Sequence, residues 1–505
     1  MTEVKKRNTE SKKIERTVLI NEDDYCIRTA ILKNNLLTEL VVERKEKKGI
    51  AGNIYKGKVK NIIPGIDAAF MDIGWDRTGF LYISEVSTPP AIYDEISPGL
   101  LTQEKDFKSP IEKALKEGED ILVQVVRDPV GNKGPRLTTF ITIAGRFLVL
   151  MPFIERLGIS KKIVDPKERN RIAEILKKIR PQHGGLILRT LGEGKSEREL
   201  VHDLNYVSWI WKRINFISKI KAAPSLLYRE PDLATRFARD ILSPEKDKLI
   251  VDNFKKFVQL KRFFRRYSLD PSSFLEFYNS EVDLYKKYNV EEEIQKALKS
   301  KVWLPSGGSL AIEETEALVS IDVNSGKFTT AAGGLEDTAL RTNLEASKEI
   351  ARQVILRNLG GIIIIDFIDM KSLRNRRKLT NNIRDAFKGD RAVTKINIVS
   401  SFGLIEMTRE RINPSLAQIL CESCPSCQGS GVVKSVTTVT IDKEKEIRKI
   451  LQKTKEKILK VQLNPEICKY LKERKRDRIM EKIFRKRLVL EENPSLNREE
   501  IKFNS

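Results

Sequence analysis

The sequence predicts a multidomain protein in which a small β-barrel is joined to an α/β sheet. Three observations predict it. The chain has 505 residues, several times the length of one ordinary domain. Residues 50–139 are short strands broken by Gly and Pro turns, beginning "NIYKGKVKNIIPGIDAAFMDIG" and resuming at "DILVQVVRD", the pattern of an OB-type barrel. Residues 298–420 alternate strand and helix, with the apolar runs "ALVSIDV" and "GIIIIDF", the pattern of a sheet covered by helices.

The elements follow in order. Residues 1–16 form a Lys-rich polar arm that is expected to be disordered. It contains no apolar segment and three Glu, so it reads as neither a secretory signal nor a transit peptide. Residues 17–49 alternate apolar and polar side chains, as short strands do. A charged helical insert around 100–118 is expected to interrupt the barrel. Residues 140–235 mix the strands "FLVLMP" and "GLILRT" with basic helices, and 236–297 read as mostly helical. Residues 421–431 form a compact Cys/Gly knuckle, and 432–505 a small basic helical domain.

Composition narrows the partners. The net charge is +23, from 93 basic and 70 acidic residues. A soluble chain this basic binds nucleic acid or an anionic membrane surface. No apolar run approaches the ~20 residues of a spanning helix, which favours nucleic acid. Five cysteines, three of them within 421–427, point to a metal in a reducing compartment rather than a disulfide framework.

The stretch "LVSIDVNSGKFTT" (318–330) looks at first like a phosphate loop. Its spacing excludes that, because Ile321 stands where the first Gly is needed and Phe328 follows Lys327. Strand parity gives a different reading. Ile321 and Val323 share one face, Asp322 and Asn324 the other. "IIIIDF" likewise brings Asp366 to the end of a strand. On neighbouring strands the two carboxylates converge into a Mg²⁺ site, with Asn324 orienting a carboxylate or binding phosphate. The same residues also read as polar strand ends that cap the following helices. Asp369 reads as an outer partner of the site or a helix cap.

In the barrel, Phe70 and Phe80 flank Gly-rich turns, Lys56, Lys58 and Lys60 alternate along one strand, and Lys133 sits in a Gly-bounded loop. Aromatic platforms beside cations suit single-stranded nucleic acid, although most Phe side chains are core. Arg189 and Thr190 end a strand beside a Gly, an arrangement that suits a terminal phosphate. "CESCPSCQGSG" is a thiolate knuckle. Zinc needs four ligands, while the two histidines, His183 and His202, and the cysteines Cys26 and Cys468 are remote in sequence. Cys424 and Cys427 therefore point to a Zn²⁺ shared with a second copy of the chain. Cys421 leaves open an iron–sulfur run that lacks its fourth cysteine.

Taken together, "NIYKGKV", "AAFMDIG", "LVLMP", "GISKK", "LILRT", "LPSGGS", "SIDVNSG", "TNLEA", "LGGIIIIDFIDM", "SFGLIEMTR" and "CPSCQGSG" resemble, in order, the blocks of the RNase E/G family of endoribonucleases, here in a short form of bacterial or plastid type. The resemblance implies an RNase H-like part split between 17–49 and 236–297. It implies an S1-type OB domain at 50–139, a 5′-end sensor at 140–235, a DNase I-like catalytic domain at 298–420, a zinc link at 421–431 and a small domain at 432–505.

By the same resemblance, Asp322 and Asp366 hold catalytic Mg²⁺ assisted by Asn324, and Phe70, Phe80 and Lys133 grip RNA. Gly145, Val149, Arg189 and Thr190 match a 5′-monophosphate pocket, and Cys424 and Cys427 a zinc pair shared between chains. Two positions depart from the pattern. Lys161 and Val393 stand where relatives carry Arg, so a bidentate phosphate contact becomes a point charge or is lost. The implied protein is a Mg²⁺-dependent endoribonuclease. It cuts A/U-rich single-stranded RNA in rRNA and mRNA processing and decay, leaves 5′-phosphate and 3′-OH ends, and is stimulated by a 5′-monophosphate. It is expected to be a dimer through shared zinc, or a tetramer, in a bacterial cytoplasm or plastid stroma, without the long scaffold tail of larger relatives. The competing classes are a non-catalytic RNA-binding or ribosome-associated module and a metal-dependent DNase.

Overall fold

The computed structural model describes residues 15–46, 49–87, 111–129, 133–267, 269–326, 334–400, 402–411 and 413–504. Most of the expected arm, much of the barrel insert, and Lys327 lie outside these residues. The chain divides into two compact units, Met1–Leu416 and Ala417–Ser505.

Among the described residues, the first unit contains four sheets. One has five strands in the order Leu275–Phe277, Asp247–Val251, Arg16–Glu22, Cys26–Lys33 and Leu36–Arg44. It joins the start of the chain to a segment more than 200 residues later, through the parallel pairing of Arg16–Glu22 with Asp247–Val251. Arg16 closes this junction with a fork onto Asp247, with both bonds at 2.7 Å. Residues 236–297 are therefore not simply helical. Asp247–Val251 is short and largely buried, Leu275–Phe277 is only three residues long, and so short a run does not distinguish strand from helix by period.

The barrel consists of Ile54–Ile63, Ala68–Asp72, Gly79–Tyr82, Arg136–Thr138 and Asp120–Arg127. Pairing of Ile54–Ile63 with Asp120–Arg127 closes the ring, and Ser225–Tyr228 adds on outside it. Val59, Ala69, Met71, Leu81, Val123 and Leu137 fill the interior. A third sheet, of four strands, packs against the long helix Glu197–Ile220, whose Ser196–Glu199 capping box supplies partners for the first turn.

The fourth sheet carries the candidate site. Its order is Lys301–Trp303, Ser309–Glu314, Leu318–Asn324, Gly361–Asp366, Leu404–Arg409 and Thr394–Ile396. Leu318–Asn324 and Gly361–Asp366 are parallel neighbours, and the other pairings are antiparallel. Helices Leu335–Leu356 and Leu373–Ala386 contribute Ile350, Val354, Leu379 and Ile383 to one core with Ile321, Val323, Ile363 and Ile365. The expectation of a covered sheet fails on the opposite face, where Ile362 is 52% exposed. The Ile run suggested burial on both sides, but only alternate members meet the helices.

The second unit corrects the expected helical domain. Helices Val436–Lys453, Pro465–Glu473 and Arg476–Phe484 are joined by a three-stranded sheet in the order Arg487–Glu492, Ile458–Leu463, Ile501–Asn504. Leu459, Val461 and Leu463 alternate into the core with Cys468, Leu471 and Met480. Ile458–Leu463 spans only six residues between two helices, too short a run to stand out by its period of two.

Candidate active site

Asp322 and Asp366 are direct register partners on the two parallel strands. The alternation that buries Ile321, Val323 and Ile365 turns Asp322, Asn324 and Asp366 to the open face. Asn324 Nδ2 donates to Asp322 Oδ2 at 2.6 Å. Burial, then the charges of Asp322 and Asp369, push the Asp366 carboxyl above its usual range. This is a crowded set of anions that a cation would relieve.

Asp369 belongs to this electrostatic group, but it does not cap the following helix. Ser372 does that, accepting from the Asn375 amide. The loop from Asp366 to Ser372 is held from behind. Buried Asn343 donates to the Ile368 carbonyl at 2.8 Å and accepts from the Ile368 amide at 3.1 Å. Glu336 accepts from the amides of Lys371 and Ser372.

The carboxylate pair suits a hard divalent cation such as Mg²⁺, which binds few protein oxygens and keeps waters. Among the described residues, no group of three or more His, Cys, Asp or Glu side chains converges into a metal cage. A two-carboxylate site does not need one.

On the barrel, Phe70 and Phe80 are cross-strand partners with ring centroids 5.2 Å apart, edge to face. Both are half-buried, and Tyr82 extends the ladder at 4.5 Å from Phe80, with the Arg136 guanidinium 5.3 Å from the Tyr82 ring. Lys133 is exposed. The neighbouring Gly134 lies so close to the Thr78 carbonyl that a Cβ there would sit 2.0 Å away, which brings the Lys133 loop to the start of the Phe80 strand. Lys58 and Lys60 are not unpaired cations. They meet Asp120 at 2.9 Å and Asp72 at 3.1 Å.

Around Arg189 the structure brings several predicted residues together. Arg189 Nη1 donates to the Gly145 carbonyl at 2.8 Å and to Asp240 at 2.5 Å. Ser160 and Thr190 share a hydroxyl bond of 3.1 Å, and exposed Lys161 follows Ser160. Val149 pairs with Ala144 on one side and Ile187 on the other. Gly145 has a structural duty, since a Cβ would lie 2.5 Å from Asp203 Oδ1. Asp203 accepts the amides of Arg146, Phe147 and Leu148, which fixes this turn. Val393 is exposed beside the edge strand Thr394–Ile396.

In the second unit, Cys424 and Cys427 lie on a tight knuckle. The Gln428 amide donates to the Cys424 carbonyl at 2.7 Å, and Gln428 and Gly429 take positive φ. The Cys427 amide, then that of Ser426, lowers the pKa of the Cys424 thiol. Bonds of this kind favour a metal-binding thiolate. Cys468 is buried in the core of this unit and Cys26 bonds Asp23, so both cysteines have structural settings.

Sequence reasoning missed Tyr82, Arg136, Asp240, Asp203 and Asn343. Tyr82 lies two residues after Phe80, so strand parity alone would have found it. The others act across long separations that no local pattern displays.

A basic chain with an OB-like barrel and a carboxylate pair on an open sheet face belongs to the class of nucleic-acid-processing enzymes. Comparison with known proteins narrows the class. The family model described as "Ribonuclease E/G family" matches residues 142–412, and that for the RNase E/G thioredoxin-like domain matches 423–505. Ribonuclease G of Escherichia coli (strain K12) is 40% identical over 434 residues, covering 86% of this chain and 87% of that protein. Ribonuclease G of Haemophilus influenzae is 38% identical over 455 residues, 90% of this chain and 91% of that protein. Ribonuclease E of Escherichia coli (strain K12) is 38% identical over 419 residues, 82% of this chain but 38% of that longer protein. The chain belongs to the ribonuclease E/G family, and with that to the endoribonucleases of RNA processing and decay. No helix among the described residues is long and apolar enough to cross a membrane.

Proposed function

We propose that the protein cleaves single-stranded, A/U-rich RNA at the open face of the 301–409 sheet, with Asp322 and Asp366 as ligands of a catalytic Mg²⁺. The observation that carries this reading is the direct register of Asp322 and Asp366 on neighbouring parallel strands, both exposed. When bound there, the cation supplies Lewis-acid polarisation of the scissile phosphate and an activated water. Asn324 holds Asp322 in one orientation, and Asn343 holds the loop between Asp366 and Asp369. The products carry 5′-phosphate and 3′-OH ends.

Phe70 and Phe80 offer base-stacking surfaces and Lys133 a phosphate contact, so that the barrel holds the strand. Arg189, Thr190, Gly145, Val149 and Lys161 form the pocket for a 5′-monophosphate. Lys161 contributes a point charge where Arg would grip with a fork. Cys424 and Cys427 supply half of a tetrahedral Zn²⁺ site completed by the same pair of a second copy, which makes the protein a dimer or a tetramer. The sheet that joins 16–44 to 247–277 corresponds to the RNase H-like part, 50–139 to the S1-type domain, 140–235 to the sensor and 298–420 to the DNase I-like domain. The bacterial ribonuclease G relatives favour a bacterial cytoplasm over a plastid stroma.

One assay tests the reading against an RNA-binding module and a DNase. Matched single-stranded RNA and DNA, with 5′-monophosphate or 5′-triphosphate, are incubated with wild type and Asp322→Asn in Mg²⁺ or EDTA. The expected result is RNA cleavage by wild type in Mg²⁺ alone, fastest with a 5′-monophosphate. Cleavage in EDTA, or unchanged cutting by Asp322→Asn, contradicts the site.

A further inference from the structure

The open sheet face carries a second feature in line with the carboxylates. Lys301, Ala311, Asp322 and Asp366 are successive register partners across four strands, and Trp303, Ser309 and Asn324 form the adjacent row. Val302, between Lys301 and Trp303, is buried in the helix-covered core. Strand alternation therefore sends Lys301 and Trp303 to the face that bears Asp322 and Asp366.

Trp303 is 66% exposed, an unusual setting for so large an apolar ring. The Lys301 ammonium lies 4.3 Å from its ring centroid. Among the described residues, Lys301 forms no ion pair with a carboxylate. A lysine on an edge strand is an ordinary guard against sheet-to-sheet association. An exposed tryptophan beside it defeats that purpose, so the pair needs another explanation. A π-face next to a cation is the unit that holds a base and its phosphate in sequence-tolerant single-strand binding.

Two strand spacings separate Lys301 from Asp322, about 10 Å. A stacked strand rises ~3.4 Å per nucleotide, so this corresponds to about three nucleotides. We infer that Lys301 and Trp303 form a nucleotide subsite of the active-site face. The indole stacks on one base about three nucleotides from the scissile bond, and the ammonium neutralises an adjacent phosphate. This rests on the assignment of Asp322 and Asp366 as the catalytic pair.

The test measures binding of short, 5′-monophosphorylated single-stranded RNA to full-length protein carrying Asp322→Asn, so that the RNA stays intact. Adding Trp303→Ala is expected to weaken binding about tenfold, and Trp303→Phe to restore most of it. Lys301→Gln should lower the slope of log K against log salt by about 0.7. A set of RNAs with one abasic position each locates the stacked base. The Trp303 protein should lose affinity at one position where Trp303→Ala loses nothing further. Unchanged affinity in both Trp303→Ala and Lys301→Gln overturns the subsite. So does an identical abasic profile with and without the indole, or a change in sedimentation without a change in RNA affinity, which would mark the edge as a protein contact. Normal cleavage by Asp322→Asn alone would instead refute the catalytic assignment, a result distinct from these binding measurements.

Discussion

Asn324 donates its side-chain amide to Asp322 Oδ2 at 2.6 Å, across one intervening strand residue. The bond orients a carboxylate that would otherwise rotate freely at an exposed strand end. A hydrogen bond to a charged group is worth about 1.5–3 kcal/mol. Asn324→Ala is therefore expected to lower kcat about ten- to a hundredfold with little change in KM. Asp322→Asn and Asp366→Asn should each lose roughly a thousandfold or more while still binding RNA. Steady-state cleavage and filter binding on the same RNA check the ordering.

Arg189 is aimed by Asp240, which also pairs with the Nε of Arg239 at 2.7 Å. Burial pushes the Asp240 carboxyl up, but the bonds and charges of Arg239 and Arg189 outweigh it and hold it below the usual carboxylate range. A depressed folded pKa stabilises the fold above the ordinary Asp value near ~4 and loses that contribution as the pH falls through the folded value. Asp240→Asn should cost about 3 kcal/mol at neutral pH, and the difference from wild type should shrink below about pH 4. Denaturant melts across pH check the sign. The preference for 5′-monophosphate over 5′-hydroxyl RNA should fall in the same variant, because Arg189 loses its anchor.

The aromatic ladder on the barrel gives a graded series. Phe80 touches both Phe70 and Tyr82, so Phe80→Ala should weaken single-stranded RNA binding more than Phe70→Ala or Tyr82→Ala. The expected loss is about 1–3 kcal/mol per stacked base. Fluorescence anisotropy at two salt concentrations separates this from a loss of charge, because removing an aromatic leaves the salt slope unchanged.

The knuckle pair predicts a metal-dependent assembly. Chelation, or Cys424→Ser or Cys427→Ser, should remove zinc and shift the native mass toward the monomer. Cys421→Ser should retain both zinc and assembly. A mass that ignores the chelator argues against shared zinc.

The candidate site was legible wherever the chemistry repeats with the strand period. "SIDVN" shows that Asp322 and Asn324 oppose Ile321 and Val323, and the structure buries the apolar pair and exposes the polar one. The Ile run was legible as a strand but not in its surroundings. Both helices pack on Ile363 and Ile365 and leave Ile362 in solvent, and no residue within the run records which face a distant helix chooses. The strand "ILKVQL" was not legible within the basic 432–505 segment, because six residues carry too short a period of two to stand apart from the helices on either side.

By itself, the sequence determined the basic charge, the barrel pattern, the carboxylates at two strand ends, the cysteine pair and the family blocks. These are local properties of side-chain order and strand period. Only the tertiary structure decided that Asp322 and Asp366 stand in direct register, that the sheet face bearing them is open, and that Lys301 stands in their row and Trp303 in the adjacent one. It also joined residue 16 to residue 247 in one sheet and assigned Asp240 to Arg189. Such pairings form between strands and helices far apart in the chain. They are selected by the burial of whole faces, which no short stretch of sequence contains.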